Sequence, residues 1–160
     1  MSPIAIQPAA AADRAAILRL ADRLASFGPT SRSAAEIGNR ERRALADAME
    51  RLAPDAALLV AHHPALGLVG VLLLESRRDY FTDVVHGHVS ILAVAEEAEG
   101  QGVGRALLAA AEAWGRERGY PRLTLAVFTE NLRARELYGR QGWRSELETW
   151  YKPLEEPGHP

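Results

Sequence analysis

The chain has 160 residues, 48% apolar and 25% charged, with a formal net charge of −2 and no cysteine. That length suits one domain with a substantial core and is short for two, and the composition is that of a globular chain. The near-balanced charge gives no electrostatic case for nucleic acid as a partner, and the lack of cysteine excludes disulfides, a thiolate nucleophile and thiolate metal sites. Asp13 and Arg14 interrupt the N-terminal alanines, which argues against a signal peptide. The longest strongly apolar run, Leu66 to Leu74, is about half of a membrane span. The expectation is a cytoplasmic protein with no membrane and no nucleic acid among its partners.

Ile4 to Gln7 reads as a short strand closed by Pro8. Asp13 is placed to cap a helix that carries Ile17, Leu18, Leu20, Ala21 and Leu24 at helical spacing. Phe27-Gly-Pro-Thr breaks it. A second helix is predicted from about Ser33 to Leu52, with Ile37, Leu45, Met49 and Leu52 inward. Ala56 to Ala61 and Leu66 to Leu74 read as strands joined at His62-His-Pro-Ala, and Ser76 to Val85 as a polar, aromatic loop. A third strand of this middle section spans His86 to Ala95. It leads to a helix from about Gly102 to Arg118, with Val103, Leu107, Ala110, Ala111 and Trp114 on one face and Gly119 as a left-handed cap. Arg122 to Phe128 is a further strand, Asn131 to Arg140 a short helix stopped near Gly142, and Thr149 to Lys152 a last strand. Helices alternate with hairpins, which predicts an α/β fold on a mixed sheet and not a regular doubly wound one.

The densest signal is His88 to Gly104, HVSILAVAEEAEGQGVG, where a strand passes through an acidic turn and three alternating glycines into a helix. Gly100, Gly102 and Gly104 remove side chains that would hold a ligand off the backbone. Unpaired amides and the helix dipole favour an anion there, and a pyrophosphate fits. A Rossmann dinucleotide site is disfavoured, because the third glycine is misplaced and no acidic strand end follows about 20 residues on.

The order of elements and these motifs resemble the GCN5-related N-acetyltransferase (GNAT) family over most of the chain, most closely from His88 to Trp143. The family's acyl-CoA motif is Arg or Gln, two residues, Gly, one residue, then Gly or Ala, and Glu99-Gly-Gln-Gly-Val-Gly104 fills that frame. Glu99 departs from it: a carboxylate beside a diphosphate is repulsive. Binding would then fall to the backbone amides from Gln101 to Arg105, through Gly102, Val103 and Gly104, with Arg105 adding positive charge. The second half of the motif is Asn131-Leu-Arg-Ala-Arg-Glu-Leu-Tyr-Gly-Arg-Gln-Gly-Trp. The resemblance implies that Asn131 contacts the pantetheine arm and Tyr138 stands near the thioester sulfur. Leu92, Ala93 and Val94 match the strand whose backbone pairs with pantetheine amides, as an added strand would. A backbone N–H of Leu92 or Ala93 would polarise the thioester carbonyl. Arg133 and Arg135 read as a solvated helix face or as contacts to the CoA 3′-phosphate, and Arg135 is counted with the donor site.

What the resemblance implies is one GNAT-like domain over residues 1–160, on a twisted mixed sheet of six to seven strands with about four helices. Its acyl-CoA half is about 86–143 and its acceptor side about 13–85 and 144–153. The implied reaction is direct acetyl transfer from acetyl-CoA to an amine, without a covalent intermediate and without a metal. Tyr138 is the expected acid, uphill of a thiol by only about two kcal/mol. His88 is the expected base with Ser90 relaying, preferred over Glu75, since His86, His88 and Ser90 share a face by alternation. His86 and His88 with His62 and His63 carry no carboxylate at metal-site spacing.

The acceptor is read less narrowly. Phe27, Tyr80, Phe81, Trp150 and Tyr151 with Glu75, Asp79, Asp83, Glu146 and Glu148 suit a cationic amine. A small-molecule amine ranks first, ahead of an aminoglycoside-like polyamine or a peptide N-terminus. The competing classes are a non-catalytic acyl-CoA-binding or sensing module and a scaffold using only the fold. A homodimer through the C-terminal strands is compatible with the family.

Overall fold

The computed structural model of the chain describes residues 3–155. One five-stranded sheet runs in sequence order, formed by β1 (Ala5–Pro8), β2 (Ala57–His63), β3 (Gly67–Arg78), β4 (Val85–Val94) and β5 (Leu123–Leu125). Neighbours are antiparallel from β1 to β4, and β5 lies parallel to β4. Four helices accompany it: α1 (Arg14–Ala25), α2 (Ala34–Glu50), α3 (Val103–Glu117) and α4 (Leu132–Arg140). The mixed α/β architecture is as expected.

Three expectations are corrected. Among the described residues the sheet has five strands and not six to seven, because Thr149 to Lys152 pairs with none of them. Leu147, Trp150 and Tyr151 are 76%, 85% and 72% exposed, so this segment buries too little apolar surface to be held as an edge strand. The Ser76–Val85 segment is not all loop: Ser76, Arg77 and Arg78 continue β3, paired with Gly87, His86 and Val85. Only the turn at Asp79 remains, where the Asp79 carboxylate accepts hydrogen bonds from the amides of Phe81 and Thr82. Leu52 lies past the end of α2 and is exposed, not inward.

The helices form for local reasons that reach into the core. Ser33 caps α2 by accepting from the Glu36 amide, whereas Asp13 turns back to the Ala10 amide and α1 starts without a side-chain cap. α1 buries Ile17, Leu20 and Ala21 and packs on α2, β3 and β4; α3 buries Val103, Leu107, Ala111 and Trp114 against β3 and β4. The core is continuous with β2 and β3, whose Val60, Val71, Leu72 and Leu74 are fully buried. Truncating Leu72 or Leu74 to alanine would cost about 2–5 kcal/mol.

One irregularity shapes everything that follows. Between Leu73 and Leu74 the partner on β4 jumps from Ile91 to Val89, leaving Ser90 as an extra, unpaired residue. The β4–β5 ladder ends at that same level, with Val89 opposite Leu125. Beyond it β4 continues to Val94 paired with β3 but without β5, and a cleft opens beside that free edge.

Candidate active site

The cleft has a volume of about 570 Å³. β4 lines it from Val89 to Val94, the continuation of β5 from Leu125 to Phe128, the glycine turn and start of α3 from Gly102 to Arg105, and α4 through Asn131, Leu137 and Tyr138. The end of β4 has lost its neighbour on this side, so its backbone is available to a ligand as a strand edge.

The glycine turn behaves as its sequence demands. Gly102 caps α3 at φ 81°, a left-handed conformation that side chains resist, and nothing lies within 4 Å of where its Cβ would be. The first helical hydrogen bond runs from Ala106 N to Gly102 O, so the amides of Gly102, Val103, Gly104 and Arg105 precede the ladder, at residues that line the cleft. Gly104 serves a different purpose. A Cβ there would come within 2.9 Å of Leu137 Cδ2, so the residue lets α4 approach α3 closely. Four amides without a backbone partner among the described residues, at the positive end of a 15-residue helix where Gly102 leaves open space, fit a diphosphate.

Glu99 does not project a bare negative charge at that cradle. Its Oε1 accepts from Arg23 Nη2 of α1 and its Oε2 from Arg133 Nη1 of α4, the latter at 2.6 Å. Arg23 also donates its Nε to the Val94 carbonyl at 3.2 Å.

α4 carries the second motif half. The Asn131 Oδ1 accepts from the Ala134 amide at 3.2 Å, so the side chain caps the helix and keeps its NH₂ as a free donor. Tyr138 lines the cleft and packs near Trp143, with ring centroids 6.1 Å apart. Burial pushes its phenol above the usual tyrosine value, so it stays protonated at neutral pH.

The histidines lie elsewhere. His86 Nε2 and His88 Nδ1 both meet the Thr124 hydroxyl, at 3.1 and 2.8 Å, and neither ring lines the cleft. Desolvation, aided by Arg77 and His86 and partly opposed by Glu75, pushes His88 down to about 4. Ser90 lines the cleft, and its hydroxyl donates to Glu75 Oε1 behind it. Glu75 is also the cross-strand partner of His88.

The cleft therefore gathers Ser90, Leu92, Ala93, Val94, Gly102, Val103, Gly104, Arg105, Asn131 and Tyr138. It does not gather His88, nor Gln101, whose side chain turns back to the Glu97 carbonyl, nor Arg135, which donates to the Thr129 carbonyl. The α1–α2 wall is made by Arg23, Phe27, Ile37 and Glu41; sequence reasoning placed Phe27 on the acceptor side but missed the other three. Glu41 makes no hydrogen bond or ion pair with another side chain among the described residues, and burial raises its carboxyl above the ordinary value. The signal was present: Ile37, Glu41 and Leu45 follow at four-residue spacing, which sets a carboxylate in an otherwise apolar stripe. No cluster of three metal-ligating side chains occurs among the described residues.

A family model described as "Acetyltransferase (GNAT) family" matches residues 25–143. The chain belongs to the GNAT acetyltransferase family. GNAT membership also accounts for the similarities to individual proteins. The chain is 47% identical over 53 residues, 33% of its length, to the mycothiol acetyltransferase of Jonesia denitrificans, and that match spans only 17% of the longer protein. A GCN5-related N-acetyltransferase from Ralstonia eutropha superposes with a TM-score of 0.71 at 23% identity, covering 95% of this chain and 99% of that one. The aminoglycoside antibiotic 6′-N-acetyltransferase of Acinetobacter haemolyticus gives 0.67 at 19% identity, covering 95% and 99%. At these identities the two structures establish the shared GNAT fold.

Proposed function

We propose that the chain transfers an acetyl group from acetyl-CoA directly to the primary amine of a small molecule. The observation that carries the reading is the convergence of the glycine cradle, the open edge at the end of β4 and Tyr138 on one cleft. The acyl donor supplies a thioester already activated toward attack. In this reading the amides of Gly102 to Arg105 hold the diphosphate and Arg105 adds charge. The β4 backbone from Leu92 to Val94 pairs with the pantetheine amides, and the Asn131 NH₂ donates to the same arm. A backbone N–H of Leu92 or Ala93 polarises the carbonyl.

The amine attacks, a C–N bond forms and the C–S bond breaks. Tyr138 gives its proton to the departing sulfur. The proton shed by the amine passes through Ser90 to Glu75, which holds the Ser90 hydroxyl. This relay replaces His88, which is off the cleft wall and too weak a base near pH 4 to drain an ammonium at neutrality.

The acyl-donor half of the site is about 86–143 and the acceptor side lies in the elements before it. There Phe27, Ile37 and Glu41 offer an aromatic ring, an apolar wall and a carboxylate, which suits a cationic amine. A small acceptor is further supported by a relative named for mycothiol and a structural neighbour named for aminoglycosides. The reading includes a cytoplasmic site of action.

Titration calorimetry with acetyl-CoA, against NADH and ATP as controls, tests the donor. Saturable binding of acetyl-CoA alone supports the reading, and absence of binding sinks it. Thiol release across a panel of small amines then separates an enzyme from a module that only binds acyl-CoA, which would release no thiol with any of them.

A further inference from the structure

We infer that Arg133 supplies the diphosphate donor that position 99 lacks, and that Glu99 is a positioning residue holding Arg133 at the glycine cradle. This rests on the acetyl-CoA reading above. In the family's frame, position 99 bears a side chain that donates; Glu99 can only accept. Its two oxygens are both committed, Oε1 to Arg23 and Oε2 to Arg133.

The two arginines differ in what they have left. Arg23 is largely buried, with a side chain 20% exposed. It spends its Nε on the Val94 carbonyl, its Nη2 on Glu99, and its Nη1 lies 4.0 Å from Glu96. Its charge offsets that of Glu99. Arg133 is 59% exposed and lines the same cleft as Gly102 and Gly104. One of its five N–H groups is used by Glu99, and no other is engaged among the described residues. The triad sums to one positive charge, carried on the member with free donors.

Arg133 stands on the first turn of α4, so without an anchor its long side chain would sample solvent. The 2.6 Å contact to Glu99 removes that freedom before a ligand arrives. A planar guanidinium so held is suited to two phosphate oxygens at once. The departure of Glu99 from the family pattern is thereby compensated from a different helix, 34 residues on.

The test is calorimetric titration of acetyl-CoA into the wild type, R133Q, E99Q and the double variant, with S-acetylpantetheine, which has no diphosphate, measured by competition. R133Q is expected to weaken acetyl-CoA about tenfold, the loss of one charge-assisted contact. E99Q restores a residue the family uses and adds a positive charge, yet is expected to weaken binding severalfold, with the double variant no worse than R133Q. S-acetylpantetheine affinity should not move.

Unchanged binding by R133Q, or tighter binding by E99Q, overturns the inference while leaving the acetyl-CoA reading intact. Equal losses for both ligands assign the triad a merely structural role and also overturn it. A wild type that does not bind acetyl-CoA removes both. Should a glutamine variant fail to fold, R133K and E99D carry the same comparison: each keeps its charge, and R133K should lose more than E99D because an ammonium cannot bridge two oxygens.

Discussion

Ser90 donates its hydroxyl to the carboxylate of Glu75 across the β3–β4 ladder, at the one place where the register between those strands shifts. The bulge gives Ser90 no ladder partner, and its side chain both lines the cleft and reaches the acid behind it. A half-buried hydroxyl joined to a carboxylate is a path for a proton leaving the cleft. Glu75→Gln should therefore lower kcat by about a hundredfold with little change in acetyl-CoA affinity, and Ser90→Ala by less, since water can bridge the gap. Steady-state kinetics with calorimetry checks this. Equal losses in kcat and acetyl-CoA binding would point to a disturbed cleft instead.

His88 makes a prediction about stability and not about turnover. Its folded value of about 4 lies below the ordinary histidine value, so between those two pH values the unfolded chain binds the extra proton. Its burial as a neutral ring is then free of penalty above about pH 6.5, and stability falls as pH drops from there toward 4. Thermal melts of wild type and His88→Gln between pH 4 and 7 should diverge, with the wild type losing stability faster on acidification. Parallel curves would mean that the ring is solvated.

Tyr138 should behave as an acid that is helpful and not indispensable. Burial holds its phenol protonated past the usual tyrosine range, so no basic limb from this group should appear below about pH 10. Because a thiolate is a tolerable leaving group, Tyr138→Phe should slow turnover by about a hundredfold or less, with acetyl-CoA binding kept. Full activity of the phenylalanine variant at every pH would transfer the proton donation to water.

The glycine cradle gives the sharpest binding test. At φ 81° any side chain at position 102 is strained by about 1–2 kcal/mol, and a glutamate there adds charge and bulk in front of the amides of α3. Gly102→Glu should abolish measurable acetyl-CoA binding while melting within several degrees of the wild type. Retained affinity would move the diphosphate away from this turn.

The sequence carried the parts of this site whose causes are local. Gly102 and Gly119 sit at positive φ, Asn131 and Ser33 cap their helices, and the stripe of Val103, Leu107, Ala111 and Trp114 is buried as its spacing requires. Apart from Asp13, which turns back to Ala10 instead of capping α1, the failures are tertiary. Alternation places His86, His88 and Ser90 on one face, but only the register slip against β3 decides that Ser90 reaches the cleft while His88 packs on Thr124. A repulsive Glu99 is the natural reading of an acid in that frame. It takes Arg23, 76 residues away, and Arg133, 34 away, to reverse it. The expected last strand does not form: Trp150 and Tyr151 have high strand propensity, but propensity without a partner surface does not make a strand.

Glu41 is the feature that best separates a cationic acceptor from a neutral one. It lies in the cleft wall with Phe27 and Ile37, and its carboxyl is raised by desolvation, partly opposed by Arg40. It is half-buried and not paired with any side chain among the described residues, an uncomfortable state for its charged form that an ammonium would relieve. Glu41→Gln should accordingly raise the KM of a cationic amine about tenfold, leave acetyl-CoA affinity unchanged, and leave a neutral amine nearly unaffected. Because the folded carboxyl titrates above its unfolded value, the folded chain holds the proton more readily. Wild type should therefore gain stability relative to Glu41→Gln as pH falls toward that range, the slope opposite to that of His88, and be the less stable of the two at pH 7. Acceptor KM in the wild type should rise over the same acidic range as the charge disappears. A glutamine variant with unchanged KM for every amine, and a melt that tracks the wild type at all pH values, would leave the carboxylate solvated and the acceptor's charge unread at this wall.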